Sequence, residues 1–168
     1  MDPRMFPFAG LFPMQPGHWR RIHHARRQGV AAAVAQYHDL SGVVTSCPAN
    51  AYFIMYEAEI AWAAGLMSVG MASTSDYGAA FRALSVASSA STALQSAGGI
   101  ALISSAGAGF AHFGLSDATA PWSTALAARG GPDPSGKITG FRVGVENLSG
   151  APYTVEIVKD QLSVWALE

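Results

Sequence analysis

The sequence predicts a mainly α protein with a small C-terminal antiparallel β-sheet (α+β) and an extended N-terminal arm. Three observations predict it. Residues 18–40 open with a basic block and run into Val30-Ala-Ala-Ala-Val34-Ala, a composition with strong helix propensity. Ala83–Ser116 holds no Asp, Glu, Lys or Arg and is dominated by Ala, Gly and Ser, as in a tightly packed helix. Beyond residue 137 the apolar period changes to two, the signature of strands.

Each segment has its own reasons. Residues 1–17 carry Pro3, Pro7, Pro13 and Pro16, which forbid a helix. Met5, Phe6, Phe8, Leu11, Phe12 and Met14 make the same stretch too apolar for a solvated tail, so it is expected to lie in a groove of its own chain or of a neighbour. It has no continuous apolar core and no small-residue cleavage site, so no secretory signal is read there. Within 18–128, a first helix is expected over 18–40, stopping at Ser41-Gly42. A second is expected over Ala49–Ala72, with Glu57 and Glu59 as its charges, and Ser75 or Asp76 can cap a third. Gly98-Gly99 and Gly107-Ala-Gly109 are expected to break or kink that third helix. Residues 129–136 (RGGPDPSG) read as a linker, and 137–168 as a small sheet element. There Thr139, Phe141, Val143 and Val145 share one face, Tyr153–Val158 forms a second strand, and Leu162–Ala166 a third after Lys159-Asp160.

Composition narrows the function. Half of the 168 residues are hydrophobic and 12% are charged, against about a quarter charged in an ordinary soluble domain. So little charge suggests that much of the exterior is covered by other subunits or by lipid. The net charge of −1 gives no global field toward nucleic acid or an anionic membrane. A single cysteine, Cys47, excludes an internal disulfide framework and a multi-cysteine zinc site. For Ala83–Ser116, burial in protein is favoured over a membrane span. Its eight serines, Thr92 and Gln95 weaken insertion, and no basic flank brackets it.

No catalytic constellation emerges. There is no phosphate-binding lysine loop and no nucleophile-elbow serine. Cys47 with a distant His38 or His112 is the remaining nucleophile reading, and a buried structural thiol is favoured over it. On a helix Glu57 and Glu59 would point to different faces, excluding a carboxylate pair, and a structural ion pair with the basic block is expected instead. His18, His23, His24 and His38 show no metal-ligand spacing. No cofactor and no metal are therefore expected. The candidate interaction residues are Phe6, Phe8 and Phe12 of the arm and Arg20, Arg21, Arg26 and Arg27 of the basic block. On a helix those arginines would form a collar able to make non-specific contact with nucleic acid or lipid.

Two short stretches resemble known families. Ala108-Gly-Phe-Ala-His112, with Trp122 ten residues on, resembles the pigment-ligating pattern of bacterial light-harvesting polypeptides. That resemblance makes His112 the one candidate cofactor residue; a histidine hydrogen-bonded in a packed core is the favoured alternative. Phe141–Gly150 resembles the first core strand of actinoporin-like pore formers over ten residues, and nothing is carried over from it.

These readings combine into an expectation: a non-catalytic structural or assembly subunit of a larger particle, self-associating or joined to other subunits. The preferred instance is a viral (phage) virion component, membrane-active during genome delivery through its small-residue helices. An accessory, pigment-binding subunit of a membrane complex is the alternative. A small enzyme with a site formed between subunits is the second.

Overall fold

A computed structural model describes residues 18–62, 64–75, 80–87, 91–104, 109–117 and 138–168. The described residues form two antiparallel sheets packed face to face, which overturns the mainly α expectation. The first sheet takes Trp19–Ala33 (β1), Ala51–Trp62 (β3), Ser91–Ser104 (β6), Gly109–Asp117 (β7) and Val155–Leu167 (β9), in the order β1-β9-β3-β6-β7. The second takes Ala35–Asp39 (β2), Met67–Ser75 (β4), Ala80–Ala87 (β5) and Ile138–Asn147 (β8), in the order β2-β8-β4-β5. Ser41–Ser46 (α1) is the helix among the described residues, one short element where a stop was expected. Asp39, the residue before its N-cap Leu40, accepts hydrogen bonds from the Ser41 amide at 2.9 Å and the Ser41 hydroxyl at 2.7 Å.

Side chains alternate between two environments along each strand, as a pleated backbone demands. On β3, Tyr52, Ile54, Tyr56, Ala58 and Ile60 enter the space between the sheets. On β9, Val155, Ile157, Leu162, Val164 and Ala166 do the same. Met67, Val69 and Met71 of β4, with Phe141, Val143 and Val145 of β8, meet them from the other sheet. The shared face expected for Phe141, Val143 and Val145 is therefore real. Tyr52 and Phe141 pack edge to face with centroids 5.6 Å apart, tying the layers together.

The helical expectations fail for identifiable reasons. Residues 18–40 are β1 and β2, because β1 finds a full-length antiparallel partner in β9, and strand pairing outweighs the small helix preference of alanine. The basic block lies on this strand, at the edge of its sheet, where charged side chains discourage pairing with another chain. It forms no collar: the arginines project to alternate sides. The stretch 49–72 divides into β3 and β4. Within 83–116, β5, β6 and β7 replace the kinked helix, and Ala97, Ala101, Ile103 and Phe113 lie in the sandwich core. Among the described residues no helix is long and apolar enough to cross a membrane.

The C-terminal strands are antiparallel as expected but do not pair with each other. β8 joins the four-stranded sheet, and β9 lies between β1 and β3 in the other. Lys159-Asp160 does not separate two strands; β9 runs through it. The expectations for 1–17, including Phe6, Phe8 and Phe12, and for the linker 129–136 lie outside the described residues.

Candidate functional site

Two side-chain groupings lie one on each face of β9. The first is internal. Asp160 points between the sheets with its side chain fully buried. Arg27, its cross-strand neighbour on β1, donates from Nη2 to Oδ2 at 2.5 Å and from Nε to Oδ1 and Oδ2 at 3.2 and 3.1 Å. His38 Nε2 lies 2.9 Å from Oδ2, and the Tyr56 hydroxyl donates to the same oxygen at 3.3 Å. Arg27 also reaches the Tyr37 carbonyl at 3.4 Å. His38 comes from β2 of the opposite sheet, so the quartet bridges both layers.

The electrostatics follow from the geometry. Burial by itself would raise the Asp160 carboxyl, but the hydrogen bonds from His38 and Arg27 outweigh it and hold the group at about 2. Burial also opposes charge on Arg27, yet its bonds to Asp160 raise its affinity for the proton. Tyr56 is pushed well above the ordinary phenol range, first by burial and then by the adjacent carboxylate. His23, pointing inward nearby, is lowered first by burial and then by His38 and His24. A carboxylate held near 2 is a poor base, and a phenol so disfavoured as an anion is a poor acid. Both Asp160 oxygens already accept internal bonds. The quartet is built as a latch.

The second grouping is the outer face of the five-stranded sheet. Register sets its rows. Trp19, Leu167 and Ala51 stand beside one another, then Trp165, Phe53 and Leu102, then His24, Ser163, Met55 and Ile100. Phe53 packs on Trp165 at 5.7 Å and edge-on to Trp19 at 6.5 Å between centroids. Trp19, Phe53 and Trp165 are buried although the second sheet lies on the opposite side.

Farther along the strands the face turns polar and hollow. One row reads Arg26, Gln161, Glu57, Gly98, Gly114, and the next Gln28, Lys159, Glu59, Ser96. The resulting groove encloses about 750 Å³. Gln161 Nε2 donates to Glu57 at 2.6 Å, and Lys159 Nζ lies 3.0 Å from Glu59. Gly98 is required here, because a Cβ would collide with the Tyr56 carbonyl oxygen.

The candidate residues thus separate. Arg26 and Arg27 line the groove, Arg27 reaching inward to Asp160, Arg20 pairs with Glu168 in solvent, and Arg21 is exposed. Glu57 and Glu59, assigned to different faces of a helix, stand on the same face of a strand, and the ion pair of Glu59 is with Lys159. His112 is the register partner of Ile100, across β6 and β7. Cys47 is a half-buried free thiol. Among the described residues no group of three His, Cys, Asp or Glu side chains could hold a metal. Sequence reasoning missed Asp160 and Gln161. The available signal was a charge inside an apolar alternation on Val155–Leu167, and its partner Arg27 lies 133 residues away. Comparison with protein-family models, curated proteins and solved structures finds no match to this chain.

Proposed function

We propose that this chain is a non-catalytic component of a larger assembly, and that it works by binding through the outer groove of its five-stranded sheet. The contrast between the two polar groupings carries this reading. The ionisable quartet spends its bonds internally: Arg27 and Asp160 border the groove from the inner side but are bonded to each other. The groove is open, and Arg26, Gln28, Glu57, Glu59, Lys159 and Gln161 among its lining residues are held in place by the sheet. A pleated surface fixes such side chains in rows, with neighbours along a row about 4.8 Å apart, which suits recognition of an extended partner. The low charge content of the whole chain supports a molecule whose surface is shared with others.

Sedimentation of native extract tests the proposal. The wild-type chain should travel with a species well above 17.5 kDa. Glu57→Trp, which fills the groove from an exposed position, should release it while keeping a wild-type unfolding temperature. Wild-type chain sedimenting as a monomer would sink the reading, and so would a folded Glu57→Trp variant that stays with the larger species.

A further inference from the structure

Resting on that reading, we infer that the groove's ligand is a neutral, polyhydroxylated one: a short stretch of uncharged glycan. Charge balance is the first argument. The groove is lined by three cations, Arg26, Arg27 and Lys159, and three anions, Glu57, Glu59 and Asp160, of which Arg27 and Asp160 pair with each other. Lys159 and Glu59 neutralise each other within the site. No net field then selects a phosphate, a nucleic acid or a metal ion.

The kind of polar group is the second argument. A carboxylate accepts from two neighbouring hydroxyls at once, an amide both donates and accepts, and a guanidinium donates in a fixed fork. Glu57, Gln161, Gln28 and Arg26 place these groups side by side across β1, β9 and β3, offering matched donors and acceptors to vicinal hydroxyls. Glu57 and Gln161 are already oriented by their mutual hydrogen bond, which reduces the ordering cost of binding.

Shape is the third. At Gly98 and Gly114, beyond Glu57 in the same row, no side chain stands above the sheet. The adjoining row is polar at His24 and Ser163 and apolar at Met55 and Ile100. A sugar ring has one hydroxyl-rich edge and one flatter C–H face, and the polar row beside the apolar pair Met55 and Ile100 meets both. The enclosed volume falls within the range of about 300 to 1,000 Å³ usual for small-ligand sites, room for two or three sugar units.

The experiment is a glycan array carrying neutral, sialylated and sulfated oligosaccharides, probed with the full chain. Calorimetry with the best neutral trisaccharide follows. Neutral glycans should be retained, with no gain from added acidic groups. Glu57→Gln and Gln161→Ala should each weaken binding about tenfold, or about 1.4 kcal/mol, with wild-type unfolding curves. Retention of no glycan, retention of acidic glycans alone, or neutral binding indifferent to both variants would overturn the inference. If Glu57→Trp still releases the chain from its native assembly while no glycan binds, the glycan inference falls and the binding function stands. If neither occurs, both fall.

Discussion

Arg27 and Asp160 face each other across β1 and β9 and form an ion pair in the core of the sandwich, closed at 2.5 Å between Nη2 and Oδ2. The pair closes the edge of the five-stranded sheet onto its centre, and His38 extends it to the opposite sheet. Because Asp160 is fully buried and Arg27 is a quarter exposed, removing one partner should cost far more than for a surface pair.

Asp160→Asn should therefore destabilise the fold by about 3 to 5 kcal/mol, leaving the Arg27 charge without its counter-ion and replacing one acceptor oxygen with an amide donor. Urea unfolding followed by tryptophan fluorescence measures this. A midpoint equal to wild type would show that the latch does not hold the sheets.

The same group sets an acid dependence. Asp160 titrates at about 2 in the folded chain against an ordinary 3.8. Between those values the unfolded chain binds the extra proton, so the stabilisation is complete above about pH 4 and is lost as pH falls toward 2. The shift corresponds to about 2 kcal/mol. Unfolding curves taken from about pH 5 down to about pH 2 should show this loss in the wild type. Asp160→Asn should lack that component, and an equal slope in both proteins would contradict the assignment.

Gly98→Ala should destabilise by about 1 to 3 kcal/mol, since the added methyl meets the backbone of β3 and the strands must separate. Amide exchange should report the strain locally, with protection falling along β3 and β6. Unchanged protection at both strands would mean that the close approach at Gly98 is not maintained in solution.

Trp165→Ala should behave as a core truncation despite lying on the outer face, costing about 3 to 5 kcal/mol. Trp165 is 5% exposed and packs on Phe53. Thermal unfolding decides the matter: a change no larger than that of an exposed side chain would show that this face is open.

Part of this arrangement was legible in the residues. Phe141, Val143 and Val145 alternate cleanly, and a period of two has one structural reading. The residues of β3 were not legible in this way. Tyr52-Phe53-Ile54-Met55-Tyr56 is apolar on both faces, because one side meets the core and the other meets Trp165 and Trp19. A continuous apolar run suits a buried strand and a buried helix equally. The alanine run of β1 misled for a different reason: Ala31, Ala32 and Ala33 favour a helix locally, but β9 offers β1 hydrogen bonds along most of its length. The groove was hidden by the same error, since Glu57 and Glu59 share a face only at strand spacing.

By itself the sequence determined composition-level properties: scarce charge, one cysteine, no recognisable catalytic motif, and an apolar face on β8. Those follow from residue identity and local period, which need no partner. Tertiary structure alone decided that Arg27 meets Asp160, that Gln161 orients Glu57, and that β8 and β9 belong to different sheets. Strand pairing is a contact between distant segments, and its register determines which side chains become neighbours. No local propensity carries that information.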